Sequence, residues 1–170
     1  MQLFIRKRKH KVSCKSGLIG IVNPARYNSF VHTTWDFERL KSRFIDEMNN
    51  CSLVIWGTGY QSSSTIVVLD KPSSHKEFQL FEKVIDVTNG ELHFTNYEDF
   101  STVSQLKEGK LPLEHRKSNI IKLKNGRYKV TVRNMLNPEA KDKADAYYEV
   151  IFTPTETGKP EANTGIIWYD

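Results

Sequence analysis

The apolar residues of this chain mostly alternate with polar ones, in short runs separated by turns that contain glycine or asparagine. In the run 127–133, tyrosine and valine alternate with arginine, lysine and threonine. Such alternation is typical of a β-strand with one face on a core and one face in water. Taken along the whole chain, the pattern predicts a mainly β protein with roughly ten or more short strands.

One segment departs from this alternation and predicts a helix. Its apolar residues recur at helical spacing, and they are Phe37, Leu40, Phe44, Ile45 and Met48. Thr34 is positioned to cap the start of this helix, and the pair 49–50 ends it. We predict a single amphipathic helix over about 34–49.

The order of turns and strands repeats along the chain. Residues 10–70 and residues 83–153 each predict a hairpin, an excursion and a second hairpin, with Gly17 and Gly90 in equivalent places. Asn89-Gly90 and Asn125-Gly126 supply residue types suited to two-residue type I′ turns, so each predicts a hairpin. The strand 51–56 aligns with 118–123, and the second excursion, 97–117, predicts a loop with at most a short helix.

These features predict one domain spanning residues 1–170. Its expected architecture is a two-layer β-sandwich or open barrel built from a degenerate tandem duplication. The polar stretches 134–146 and 154–165 predict exposed loops, and residues 147–153 between them predict a strand. The apolar residues 166–169 predict a terminal strand. A chain of 170 residues is long enough to bury a core without a disulfide or a metal.

The net charge of +5 depends on one basic run, because residues 6–11 contain five of the 25 lysine and arginine residues. Such a run gains affinity for nucleic acid or another anionic surface by releasing counterions. It also suits a solvated edge strand, where lysines discourage pairing with another sheet. Both interpretations remain open at this point.

The location of the protein follows from its cysteines and its N-terminus. Cys14 and Cys51 stand in or beside apolar stretches and predict free, buried thiols. The basic run follows the first five residues with no apolar export segment between them, which favours a reducing cytoplasm. No apolar run is long enough to cross a bilayer, so we expect no membrane partner.

Catalytic chemistry is not indicated by the sequence. The five histidines, which are His10, His32, His75, His93 and His115, lack the short spacings of metal ligands. The glycine-rich stretch 57–65 lacks the Gly-Lys-Ser/Thr ending of a phosphate loop and predicts a hairpin loop instead. We therefore predict no catalytic residue, metal or cofactor. A cysteine and a histidine assembled in space remain a minor alternative.

A binding role requires side chains that the core does not need, and these are expected on loops. Trp35 stands off the apolar stripe of the helix, and Tyr60 is at a predicted hairpin tip. Interfaces favour tryptophan and tyrosine as their main anchors. The predicted partner-binding residues are His32, Trp35, Asp36, Tyr60, Glu139, Asp142 and Asp145.

Three motifs in the second repeat resemble the small β-rich nuclease-inhibitor and immunity proteins encoded beside bacterial toxins, the competence protein J-like type. They are Val84-Ile-Asp-Val-Thr-Asn-Gly90, Ile121-Lys-Leu-Lys-Asn-Gly126-Arg-Tyr128-Lys-Val130 and Ala146-Tyr147-Tyr148-Glu-Val150. The resemblance implies a non-enzymatic inhibitor that occludes the active site of a toxin.

The basic charge of the chain qualifies this expectation, because inhibitors of basic nucleases tend to be acidic and complementary charge governs encounter. The chain would better suit a toxin with an acidic or neutral face. Alternatively, it would use a local acidic patch formed by Glu139, Asp142, Asp145 and Glu149. The leading hypothesis is an immunity-type inhibitor of a bacterial toxin. The alternative is a binding module for nucleic acid or an anionic surface, and an unrecognised enzyme ranks third.

Overall fold

A computed structural model of the protein describes residues 8–59, 62–137 and 145–169. The strands of these ranges form two sheets. The larger sheet has the order β1-β4-β9-β8-β5, and its strands are β1 (Arg8–Cys14), β4 (Ser62–Leu69), β9 (Ala146–Pro154), β8 (Gly126–Asn134) and β5 (Gln79–Val87). The smaller sheet has the order β3-β2-β6-β7, and its strands are β3 (Leu53–Gly57), β2 (Leu18–Val22), β6 (Glu91–Asn96) and β7 (Ile120–Lys122). Neighbouring strands are antiparallel except β4 and β9.

The main core lies between the two sheets and is filled by the alternating apolar residues that the sequence predicts. Ile19 and Ile21 of β2 point into it, together with Trp56 of β3 and Tyr148 of β9, and all four side chains are fully buried. The two-layer sandwich is therefore confirmed. Within the part of the chain that the structure describes, the sheets do not close into a barrel.

Helices add a further layer on the outer face of the smaller sheet. They are α1 (Phe37–Asn49), α2 (Tyr97–Ser104) and a 3₁₀ helix (Glu114–Asn119). Leu18 and Val22, which alternate with the inward-facing residues of β2, pack against this layer. The predicted helix over 34–49 is confirmed, but it begins at Phe37, because Asp36 rather than Thr34 is the N-cap residue. The second excursion contains α2, the short helix that the sequence allowed.

The hairpin predictions are wrong in both repeats. In the first repeat, β1 and β2 belong to different sheets, and so do β3 and β4 on either side of the stretch predicted as a hairpin loop. The same holds at the two Asn-Gly turns of the second repeat. β5 and β6 flank Asn89-Gly90 but belong to different sheets, and so do β7 and β8 on either side of residue 125. A type I′ turn needs two consecutive positive φ angles. Gly90 has φ 71°, but the φ angle of Asn89 is not positive. At these turns the chain passes from one sheet to the other. The apolar side of each strand can then face the opposite sheet and contribute to the shared core.

The two halves have the same strand order, as the predicted duplication requires. The series β1-β2-α1-β3-β4 corresponds to β5-β6-α2-β7-β8, and in each series the outer two strands pair in the larger sheet. Gly17 and Gly90 occupy equivalent turns with φ 74° and φ 71°. β2 and β6 meet at the centre with Ile21 opposite Phe94, two residues that are themselves equivalent. The halves are thus related by a near two-fold axis, and β9 lies between β4 and β8.

The register corrects one part of the repeat alignment. Ile19 pairs with Trp56 and the equivalent Leu92 pairs with Ile121. Trp56 is therefore equivalent to Ile121 and not to Leu123. Both alignments leave the same side chains facing the core, so the alternation of apolar residues could not distinguish them.

The C-terminal segment lies beside β3. The terminal strand predicted for residues 166–169 is reduced to a single bridge, in which the Gly57 N–H donates to the Ile167 carbonyl at 2.8 Å. A Cβ atom on Gly57 would lie 2.3 Å from the Trp168 carbonyl oxygen, so this close approach requires glycine. The strand predicted from 147–153 is confirmed by β9, and residues 155–165 form a mostly exposed loop, as expected. Most of the other predicted loop lies outside the described residues.

Candidate partner-binding surface

One end of the sandwich gathers the loops that carry the predicted binding residues. Here the turn at Gly17 meets residue 58, whose N–H donates to the Gly17 carbonyl at 2.8 Å. β4 begins beside the end of β1, and Ala146 of β9 pairs with Ser64 of β4. Asp145 precedes β9 and is exposed, so it lies at this same end, which we call the loop end. Tyr60, Glu139 and Asp142 lie outside the described residues.

The start of α1 contributes the predicted tryptophan to this region. Trp35 is half-buried, and its indole packs edge-on against Tyr97 with the ring centroids 6.5 Å apart. Its Nε1 atom is buried and has no hydrogen-bond partner among the described residues. Trp35 is thus partly a packing residue rather than a freely exposed anchor. A half-buried indole can pack on the fold and still contact a partner with its remaining exposed surface.

The two polar residues beside Trp35 shape the turn that presents it. The Thr34 N–H donates to His32 Nδ1 at 3.0 Å, and the Arg39 N–H donates to Asp36 Oδ1 at 2.8 Å. His32 and Asp36 are both exposed. The structure therefore brings His32, Trp35 and Asp36 together in one turn. Within the described ranges, no hydrogen bond or ion pair joins that turn to Asp145.

An aromatic cluster that sequence reasoning missed supports this turn. Phe37 lies between Tyr97 and Tyr169, with ring centroids 6.0 Å and 6.1 Å away. Next along the C-terminal segment, Trp168 packs on Phe81 at 4.9 Å. Tyr97 is distant in the chain from the adjacent residues Trp168 and Tyr169. In the sequence, only the apolar character of these three residues distinguishes them. They hold the loop end together by side-chain packing.

Acidic neighbours neutralise most of the basic face predicted on the strand 127–133. Arg127 binds Asp86 with 2.6 Å between Nε and Oδ1, and Lys129 Nζ lies 3.4 Å from Glu82. The guanidinium of Arg127 holds the pKa of Asp86 below its ordinary value, mainly through this hydrogen bond. Exposed Lys9 and Lys11 remain on β1, which is the solvated edge strand that the basic run predicted.

One of the acidic residues considered for a surface patch is instead in the interior. Glu149 is 2% exposed and binds Arg133, with 2.5 Å between its Oε1 and Arg133 Nη1. Arg133 also binds Glu77 at 2.9 Å. Burying a charge is costly unless it is paired, so Glu149 serves the fold here. This corrects the expectation that Glu149 forms part of an exposed acidic patch.

The cysteines have no arrangement suited to nucleophilic catalysis. Cys14 and Cys51 are free and buried, and burial raises the pKa of each thiol. A nucleophilic cysteine needs the opposite shift, toward the thiolate. The Leu18 carbonyl accepts from the Cys14 thiol at 3.1 Å. Among the described residues, no group of three or more histidine, cysteine or acidic side chains is placed to hold a metal ion.

The fold defines a class of protein, a sandwich of a five-stranded and a four-stranded sheet with helices on the smaller one. The crystal structure of ComJ from Bacillus subtilis, an inhibitor of the DNA-degrading activity of NucA, is similar with a TM-score of 0.53. The two chains are 12% identical, and the match covers 90% of this chain and all of ComJ. The fold resemblance anticipated from the sequence is thus confirmed.

A second solved structure, the crocagin biosynthetic protein J, is similar with a TM-score of 0.47 and 11% identity over 85% of this chain and 94% of that one. No protein-family model and no curated protein sequence matches the chain significantly. No helix among the described residues is long and apolar enough to cross a membrane.

Proposed function

We propose that this protein is a non-enzymatic, immunity-type inhibitor that binds and neutralises a cognate bacterial toxin in the cytoplasm. The observation that carries the proposal is the loop end, where half-buried Trp35 packs on Tyr97 and is flanked by exposed His32 and Asp36. A central aromatic residue inside a polar rim is the usual anatomy of a protein interface. Asp145 extends this rim on the side of the larger sheet.

The fold supports this role indirectly. ComJ is described as an inhibitor of a nuclease, so a nuclease toxin is the first class of partner to test. The net charge of +5 does not suit a strongly basic nuclease surface. The partner is therefore expected to present a neutral or acidic face, or to meet the acidic residues Glu139, Asp142 and Asp145. We further propose that the 170 residues act as one domain.

The test uses the protein encoded by the reading frame directly upstream of this one. Its expression in a bacterial host should arrest growth, and coexpression of this protein should restore it. Calorimetry with the two purified proteins should give a 1:1 complex. Arrest that this protein fails to relieve, together with no measurable complex, would contradict the proposal.

Trp35→Ala probes the surface directly. Removal of a central aromatic costs about 2 kcal/mol of binding free energy, so the Kd should rise about 30-fold. Glu156→Ala is a matched control, because Glu156 is exposed at the opposite end of β9. A Glu139/Asp142/Asp145→Ala triple variant should slow association and reduce its salt dependence. Thermal melting checks that each variant stays folded, and unchanged binding in both Trp35→Ala and the triple variant would remove this surface from consideration.

The second candidate function is a module for nucleic acid or an anionic surface, favoured by the exposed side chains of Arg8, Lys9 and Lys11 on one edge strand. It predicts an affinity for nucleic acid that falls steeply with salt and disappears when residues 6–11 are neutralised. A fluorescence-anisotropy salt titration with duplex and single-stranded DNA distinguishes the two functions. Tight, salt-sensitive binding without growth protection favours the module.

A further inference from the structure

The larger sheet ends in two edge strands, β1 and β5, and the structure shows which main-chain groups of β5 face outward. The Asp86 N–H donates to the Cys51 carbonyl at 2.8 Å, and the Asp86 carbonyl accepts from Asn23 Nδ2 at 2.7 Å. Both groups therefore point away from β8. Because hydrogen-bonding direction alternates along an antiparallel strand, the main-chain groups of Leu80, Glu82 and Val84 also face the open edge.

The equivalent strand β1 is covered where β5 is not. The carbonyls of Ser13 and Lys11 accept from the side-chain amides of Asn96 at 2.6 Å and Asn119 at 3.2 Å. Asn96 has a counterpart in Asn23, which covers Asp86. Asn119 has none, because the register makes it equivalent to Val54, a buried apolar residue.

The outward main-chain groups of β5 consequently lack partners. Among the residues that the structure describes, no hydrogen bond reaches the outward N–H and C=O groups of Leu80, Glu82 and Val84. Unpaired donors and acceptors at strand spacing are complementary to another extended chain. Charged side chains protect β1 against such pairing, since Lys9 and Lys11 project from it.

Apolar side chains surround the open part of β5 instead. Phe78 is 51% exposed, Leu80 is 47% exposed and Leu136 is 38% exposed. The Phe78 N–H donates to the Asn134 carbonyl, and the Leu136 N–H donates to the Asn134 side chain, so these residues lie together. Three of the four exposed large apolar residues in the described ranges thus converge on one edge. Exposed apolar clusters of this kind usually mark interaction sites.

Farther along the same edge, at Glu82 and Val84, β5 borders a cleft of about 240 Å³ beneath the loop that follows β9. Met48, Leu53, Val84 and Pro160 contribute to its lining. Leu80, Glu82 and Val84 lie on one face of β5, so every second side chain of a strand placed along β5 would lie beside this row. Glu82 stands between the apolar positions, and its exposed pair with Lys129 at 3.4 Å uses only Oε1.

We propose that the inhibited protein adds an extended strand to the β5 edge. The recognised segment carries a basic residue opposite Glu82 and apolar residues two positions away on both sides, opposite Leu80 and Val84. Main-chain hydrogen bonds give the affinity, and the three alternating side chains give the selectivity. β5 begins at the loop end, so the added strand is continuous with the surface around Trp35. This inference rests on the proposed inhibitor function.

Hydrogen exchange in the free protein tests the geometry without a partner. The amides of Glu82 and Val84 should exchange much faster than those of Phe81, Lys83 and Ile85, which face β8. Slow exchange at Glu82 and Val84 would overturn the inference. In the complex with the upstream-encoded protein, the amides of Leu80, Glu82 and Val84 should become protected. A complex that protects only residues outside β5 also overturns it.

Glu82→Pro tests the contact itself. Proline is tolerated on an edge strand whose N–H faces outward, and here it removes one donor and obstructs an added strand. The Kd for the upstream-encoded protein should rise at least about tenfold, the effect of one lost main-chain hydrogen bond. The control is Lys9→Pro at the equivalent position of β1, which should leave the Kd within about threefold.

A second variant, which changes only a side chain, keeps the test valid if the proline variant does not fold. Leu80→Glu changes an exposed residue, keeps the backbone intact and should also raise the Kd about tenfold through charge and lost apolar contact. Wild-type binding that persists in both variants would overturn the edge-strand inference and leave the inhibitor function standing. A wild-type protein that neither binds nor protects against the upstream-encoded protein would instead contradict the function itself.

Discussion

His93 differs in chemistry from its equivalent in the other half. It is fully buried on the helix-facing side of β6, where the first half has Gly20. Burial lowers the pKa of His93 to about 4, and a smaller effect of Glu91 opposes this shift. Burial also lowers the pKa of His10, which packs on Phe94 with ring centroids 5.0 Å apart. Both imidazoles are therefore held neutral in the folded protein.

Because of this burial, we predict that the folded protein loses stability at pH values well above those at which ordinary carboxylates titrate. The unfolded chain binds a proton on His93 near pH 6.5, whereas the folded protein does so only near pH 4. Stability should fall as the pH decreases through this window and level off below it. Between pH 7 and pH 5, urea titrations should show a loss of about 2 kcal/mol from His93.

The control for this prediction is His93→Asn, which removes the titrating group. The variant should retain only the pH dependence that His10 contributes, whatever its stability at pH 7. Asp86 and Glu77, whose pKa values are lowered by hydrogen bonds from Arg127 and Arg133, affect stability only at lower pH. An equally steep pH dependence in the variant between pH 7 and pH 5 would contradict the assignment.

At the scale of elements, α1 is capped by Asp36 and not by Thr34, the cap that the sequence predicted. Asp36 accepts from the Arg39 N–H at 2.8 Å and lies near the positive end of the helix dipole. Thr34 lies outside the helix, and its N–H bonds to His32. Asp36→Ala should therefore cost about 1 kcal/mol of unfolding free energy.

Thr34→Ala is the matched control for the cap, and it should change stability by less than about 0.5 kcal/mol. Chemical denaturation of both variants at pH 7 measures the difference. Equal losses in the two variants would show that the turn as a whole, rather than the Asp36 cap, determines where the helix begins. Thr34→Ala leaves His32, Trp35 and Asp36 unchanged, so its partner binding should stay close to that of the wild type.

The elements themselves were predictable because they depend on local patterns. Period-two alternation identified β8, and helical spacing identified α1. Strand pairing was not predictable, because Asn-Gly favours a tight turn equally well within one sheet or between two. The aromatic cluster of Trp35, Tyr97 and Tyr169 is formed by packing between distant segments, which a local pattern does not encode. The β5 edge could not be predicted from the sequence, because only the pairing of strands determines which strand lies at the edge of a sheet.

At the scale of the whole molecule, two asparagines join the halves in the same way. Asn23 and Asn96 are buried, and each donates from its side-chain amide to the edge strand of the other half. Each also accepts a local N–H, from Ala25 in one half and Asp99 in the other. These paired bonds explain why both asparagines stand at the same distance after their turn glycines.

The symmetry predicts matched effects on stability. Asn23→Ala and Asn96→Ala each leave buried main-chain groups without a partner, so each should cost about 1 to 3 kcal/mol. The sites contact different strands, so the losses should add in the double variant within about 0.5 kcal/mol. Asn119→Ala is the control and should cost less, because Asn119 makes one longer bond of 3.2 Å. Strongly unequal losses for Asn23 and Asn96 would contradict their structural equivalence.

The last expectation is that neither half folds alone, although each contains the same strand order. Ile21 and Phe94 meet at the centre of the smaller sheet, and the core between the sheets takes side chains from all nine described strands. β9 pairs with β4 of the first half and β8 of the second, so cutting the chain at residue 77 separates β4 from β9 and β2 from β6. Each fragment would expose half of a shared core.

The intact protein should accordingly unfold in one calorimetric transition with equal calorimetric and van't Hoff enthalpies. Fragments 1–77 and 78–170 should each give the narrow amide proton dispersion of unfolded chains, and mixing them should restore native dispersion if the core reassembles. A folded fragment 1–77, or two separable transitions in the intact protein, would contradict the single-domain proposal. Such a result would also show that the contacts across the near two-fold axis are weaker than their burial implies, since burial of this extent should couple the halves into one cooperative unit.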